Sequence, residues 1–84
     1  MSGLKWGKLR KVRAKDLVRA LERDGFLFRR SRGSHRRYVQ SDGRRVTLSF
    51  NQGGDTFAPK TLKNIIVDQA RWGEADLERL GMLK

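Results

Sequence analysis

The stretch "FLFRRSRGSHRRYVQSDGRRVTLSF", residues 26–50, decides the fold. Phe26, Leu27 and Phe28 open a run of strand character, in which Phe26, Phe28 and Arg30 are expected on one pleat face. "SRGSH" (31–35) reads as a tight turn, with Gly33 free to take positive φ. "RRYVQ" (36–40) is a second strand. "SDGR" (41–44) follows, and Asp-Gly suits a type I′ hairpin turn. "RVTLSF" (45–50) alternates cleanly, with Val46, Leu48 and Phe50 inward and Thr47 and Ser49 outward. These runs make an antiparallel three-stranded meander.

Upstream, Ala14, Leu17, Val18 and Leu21 follow the spacing of one helical face, so a helix is expected from about Ala14 to Asp24. Asp16 in its first turn and Arg23 in its last suit the helix dipole. Positions 12–14 offer no Ser or Thr cap, so its start is expected to be less crisp. Downstream, "NQGGDTFA" is a polar connection, and Pro59 fits a first helical position. Leu62, Ile65, Ile66 and Gln69 repeat on one face of a second helix, which runs to about Ala70. A break near Gly73 precedes a short last helix, Glu74 to Leu80, with Trp72, Leu77 and Leu80 turned inward. The order α-β-β-β-α plus a short C-terminal helix describes an α+β two-layer domain, with one sheet face covered and the other left to solvent or a partner. Residues 1–12 read as a basic N-terminal arm in which Trp6 and the lysines are available to nucleic acid, and residues 13–84 as a single domain.

Eighty-four residues bury only a thin core, which argues against a large internal cofactor cavity. Charged residues make up 35% of the chain against 37% hydrophobic, yet the apolar positions are periodic, which favours a fold over disorder. The formal charge of +11 favours an anionic partner. With no cysteine, disulfides and thiolate metal sites are excluded, and a reducing compartment is compatible. No apolar run approaches the ~20 residues of a membrane-spanning helix, and the first dozen residues lack a secretory h-region. The expected localisation is cytoplasmic, with no membrane partner.

The chemistry narrows to "RRSRGSHRRY" (29–38), which holds the one histidine of the chain, His35. A metal site wants several converging His, Cys or carboxylate ligands, and this sequence offers no such set, so neither a metal nor a cofactor is expected. No phosphate-binding glycine loop is present. A Ser-His-acid triad lacks its acid, since Asp42, the nearest, belongs to a turn. What remains is His35 amid Arg29, Arg30, Arg32, Arg36 and Arg37. Guanidinium groups bind phosphate oxygens and stabilise charge developing on phosphorus, and a histidine among them is biased toward its neutral, proton-accepting form. RNA suits such a site because its 2′-hydroxyl is a built-in nucleophile that needs a base but no metal, with Lys60 or water as a proton source for the leaving oxygen. A solvated basic turn accounts for the same residues. On the residues alone both readings stand, as does a non-catalytic RNA-binding module on the same basic face.

The chain resembles the HicA toxins of bacterial type II toxin–antitoxin systems from about Lys15 to Leu80. The residues that carry the resemblance are "KDLVRALERDGFLFRRSRGSHRRYVQSDGRRVTL" and "PKTLKNII": a helix ending in Gly-Phe, a Gly-Ser-His segment, an Asp-Gly-Arg-Arg-Val hairpin and a Pro-x-Thr-Leu helix start, in that order. Arg71-Trp72 stand where many relatives reach a glycine sooner. The resemblance implies a double-stranded-RNA-binding-domain-like fold and a metal-independent mRNA interferase, an endoribonuclease whose catalytic residue is His35. Gly33 and Ser34 would shape its turn. Arg32, Arg36, Arg37, Lys60 and Lys63 would bind RNA, the two lysines through phosphates near a helix start. It also implies a HicB-type antitoxin as partner, with the toxin a monomer alone and part of a hetero-oligomer when neutralised.

Overall fold

The computed structural model describes residues 9 and 11–82. Its elements are α1 (Ala14–Arg23), β1 (Leu27–Arg32), β2 (His35–Val39), β3 (Arg45–Ser49), α2 (Pro59–Lys63) with a π-helical continuation (Asn64–Gln69), and α3 (Glu74–Arg79). The strands form one antiparallel sheet in the order β1-β2-β3. Tyr38, Val46 and Leu48 on its inner face share a core with Leu17 and Leu21 of α1, Leu62, Ile65 and Ile66 of the second helical segment, and Trp72 and Leu77 around α3. This is the α+β arrangement expected, consistent with a double-stranded-RNA-binding-domain-like fold. No helix among the described residues is long and apolar enough to cross a membrane.

The missing Ser or Thr cap of α1 has a substitute. The Ala14 and Lys15 N–H groups donate to the Asp55 and Gly53 carbonyls (2.8 and 2.9 Å), and the Arg13 N–H donates to Asp16 Oδ2 (2.9 Å). Donors that a cap would satisfy are therefore taken by the 51–58 connection. That loop is held in turn by Asp55, whose carboxylate accepts the Asn51 and Gln52 N–H groups; these two bonds hold its carboxyl below the usual carboxylate range. Leu9 and Val12 are also buried in the core, so packing begins ahead of residue 13. Residues 1–8, with Trp6, lie outside the described residues.

Two turns and one strand differ from the sequence expectation. The "SDGR" hairpin forms, but only Gly43 has positive φ (100°), where a type I′ turn needs it at both central positions. Gly43 N–H donates to the Gln40 carbonyl and Gln40 N–H to the Arg44 carbonyl, so the connection is a three-residue loop with its glycine in the left-handed position. In β1 the register shifts between Phe28 and Arg30. Arg29 is the extra residue of a bulge, and it turns Phe28 and Arg30 to opposite faces. Phe28 follows Tyr38 inward, with ring centroids 5.6 Å apart, while Arg30 pairs with outward-facing Arg37. The second helix widens at its end: Ala70 N–H donates to Ile65 O (2.8 Å), a five-residue step. The chain then leaves through Arg71, a non-glycine residue at φ 59°. A side chain there costs about 1–2 kcal/mol, part of which glycine's greater freedom in the unfolded chain offsets. Arg71→Gly is therefore expected to stabilise the fold by roughly 0.5–1 kcal/mol in urea unfolding. An unchanged or lowered midpoint would show that Arg71 makes a compensating contact.

A polar node closes the layers. Asp24, just past α1, accepts Trp72 Nε1 (2.8 Å), Arg44 Nη2 (3.1 Å) and Arg79 Nη2 (3.0 Å), while Gln40 Nε2 donates to its backbone carbonyl. Arg44 also donates to the Ala70 carbonyl (2.6 Å) and lies over the Phe26 ring at 5.0 Å. Burial opposes the charge on Asp24, but the Trp72 and Arg79 hydrogen bonds and the positive charge of Arg44 outweigh it and hold the carboxyl below its ordinary range.

Candidate functional site

The site is built by the β1–β2 turn and by the face of the sheet that the helices leave uncovered. Gly33 and Ser34 alone separate the paired residues Arg32 and His35. Gly33 has φ 59°, and a β-carbon on it would meet nothing within 4 Å, so the need for glycine there is conformational, not steric. His35 is thereby the first residue of β2, and it is exposed.

Cross-strand partners share a face, with β-carbons about 4.5–5.5 Å apart. The register therefore lays out the outer surface in rows. Arg32, His35 and Ser49 form the row nearest the turn; Arg30, Arg37 and Thr47 form the next; Leu27, Val39 and Arg45 form the last. Every charged side chain in the three strands is basic. The ion pairs among the described residues join Arg44 and Arg79 to Asp24, Asp42 and Asp76, so none engages an arginine of this face. Asp42 sits at the opposite end of β2 from His35 and is held by Arg44 at 2.8 Å.

Of the residues singled out from the sequence, Arg32 and Arg37 lie on the His35 face and are exposed. Arg36 does not join them. It faces inward, donates from Nη1 to the Ser34 carbonyl (3.2 Å) and the Phe50 carbonyl (2.5 Å), and stacks 4.0 Å over the Phe50 ring. With the Phe50 N–H to Ser34 O bond (3.0 Å) and the Ser34–Ser49 hydroxyl contact (3.3 Å), it ties the His35 turn to the end of β3. Tyr38, which from the sequence could either stack on a base or pack within the sheet, is buried against Phe28. Lys60 and Lys63 are exposed on α2. The Gln69 side chain accepts the Thr47 N–H (2.8 Å) and Arg44 donates to the Ala70 carbonyl, so the end of the helical segment is held against β3. Arg30, Arg45 and Ser49 also lie on the outer face, beyond the residues to which the sequence assigns RNA binding. Arg45 and Ser49 follow from the alternation of β3 once the hairpin register is known; Arg30 requires the bulge.

The two faces make separable predictions. Arg36→Ala removes charge-assisted bonds to two carbonyls and a stacking contact, worth about 1.5–3 kcal/mol of stability by chemical denaturation. Arg37→Ala, on the solvated side, is expected to change stability by less than about 0.5 kcal/mol. Equal effects would contradict the assignment of these neighbours to opposite faces.

A search of curated proteins returns no match for the chain. Among protein-family models, the one described as HicA toxin of bacterial toxin–antitoxin matches residues 14–72. The match begins with α1, includes the whole sheet and the His35 turn, and ends at Trp72, ahead of α3. It spans well over half of the sequence, and the chain belongs to the HicA family of toxins of bacterial toxin–antitoxin systems.

Proposed function

We propose that this toxin is a metal-independent endoribonuclease that cleaves messenger RNA in the cytoplasm, with His35 as general base, and that a HicB-type antitoxin neutralises it. The observation that carries the reading is the position of His35: open to solvent on a sheet face without acidic side chains, between Arg32 and Arg37. RNA lying across this face presents its backbone to the arginines. His35 takes the proton from a 2′-hydroxyl; the oxygen attacks the adjacent phosphorus, and the bond to the 5′-oxygen breaks. Arg32 and Arg37 stabilise the added negative charge on the phosphoryl oxygens. The leaving oxygen takes a proton from solvent, which the open face admits, or from Lys60. The products are a 2′,3′-cyclic phosphate and a 5′-hydroxyl end.

Gly33 and Ser34 set the direction of the imidazole, and Arg36 serves as a positioning residue in place of a phosphate ligand. Lys60 and Lys63 hold the flanking RNA backbone. The face offers arginine forks and no Phe, Tyr or Trp among the outward positions of the strands, which suits backbone-directed contact over base readout.

Expression of the wild type and of His35→Ala tests the reading. Growth arrest with fragmented messenger RNA is expected for the wild type alone. Intact RNA in both, with salt-sensitive RNA binding, would identify a binding module in which His35 is a bystander.

A further inference from the structure

We propose that the free edge of β1 is the docking site of the antitoxin, which adds an acidic strand to the sheet there. The inference rests on the family's antitoxin partnership and goes beyond it in naming the place and manner of contact. The two edges of the sheet differ. Along β3, the Thr47 N–H is taken by the Gln69 side chain and the helical segment packs against the strand. Along β1, no strand or helix among the described residues pairs with the outer side, and every residue from Leu27 to Arg32 is exposed. Leu27 and Phe28 are 70% and 54% exposed, a large apolar outlay beside an unpaired backbone.

Such an edge invites an added strand, and its charge selects which one. A second copy of this chain would set Arg29, Arg30 and Arg32 against the same arginines, in a protein of net charge +11. Like charges across a strand pair are destabilising, so self-pairing is disfavoured. A strand with carboxylates at alternate positions meets Arg30 and Arg32 on the outer face. An apolar residue near its end covers Leu27, and one on the other side covers Phe28. The bulge at Arg29 breaks any longer uniform ladder, so the incoming strand must fit two short stretches. A strand in this position lies next to the Arg32–His35 row, which gives the antitoxin access to the site.

The test is amide hydrogen exchange by NMR on the full chain, free and bound to its cognate antitoxin. The β1 amides that do not bond to β2 are expected to exchange rapidly in the free toxin and at least ten-fold more slowly in the complex. Leu27→Ser is expected to weaken antitoxin binding at least ten-fold with its melting temperature unchanged. A complex that forms with β1 exchange unaltered overturns this inference and leaves the partnership intact. No complex at all overturns both. Protection of β1 that grows with toxin concentration without antitoxin marks a second copy as the occupant and also overturns it.

Discussion

His35→Ala is expected to lower RNA cleavage by about 10²–10⁴-fold while leaving the fold unchanged. The size follows from the chemistry. The imidazole is the one side chain on the outer face of the strands suited to general-base work, since the other basic residues there are arginines. In the proposed mechanism its removal leaves the 2′-hydroxyl without a base, while phosphate binding by Arg32 and Arg37 is retained. RNA affinity is therefore expected to stay within a few-fold, and the loss to fall on turnover. Because the ring is exposed at the start of β2, its removal opens no cavity. A variant that unfolds, or cleaves as the wild type does, would contradict this assignment. His35→Gln separates the roles further, since glutamine donates and accepts hydrogen bonds but does not exchange a proton at neutral pH.

Asp24→Ala is expected to cost the fold about 2–4 kcal/mol, a large part of the stability of a domain this small. Its side chain is 11% exposed and that of Arg44 is 17% exposed, so truncation takes the more buried of the two carboxylates that Arg44 pairs with and leaves only the exposed Asp42. It also leaves the Trp72 indole N–H without its acceptor. The Arg79 contact adds little, because that side chain is half exposed. The same carboxyl makes stability depend on pH. Its folded-state pKa is depressed, so its contribution is fully present above the unfolded value of about 3.9 and is lost as pH falls through that value toward the folded one. Asp76, depressed by the Gly73 N–H and by Arg79, adds in the same direction. Urea unfolding from pH 7 to pH 3 should show stability declining below about pH 4.5 in the wild type. In Asp24→Asn the acid slope should be shallower. An unchanged slope would assign the acid sensitivity to other carboxylates.

Much of this structure is legible in the sequence, and the residues show why. The alternation of "RVTLSF" and the 14-17-18-21 spacing each place a core face, because burial acts on every member of a periodic set. The exposed histidine turn follows from Gly33, since few other residues take its φ. The bulge was not legible. In "LFRRSR" apolar and cationic residues do not alternate, so nothing marks Arg29 as the residue that reverses the faces. The fate of Arg36 was equally hidden, since an arginine that stacks on Phe50 and bonds two carbonyls looks in sequence like its solvated neighbour Arg37. The π-helical exit is set by tertiary packing: Ile65, Ile66 and Ala70 all reach the core, and the helix widens to bring them there. Arg71, a non-glycine residue at φ 59°, marks the cost of that exit.

In the proposed mechanism the exposed histidine among arginines cleaves RNA through the 2′-hydroxyl without a metal, and this chemistry is written in the ends of the fragments. The most direct measurement is end-group analysis of RNA incubated with the purified toxin in excess chelator. Fragments that carry 2′,3′-cyclic phosphate and 5′-hydroxyl ends are expected from the wild type and not from His35→Ala. Cleavage that stops in chelator, fragments with 5′-phosphate ends, or equal cleavage by both proteins would contradict that mechanism.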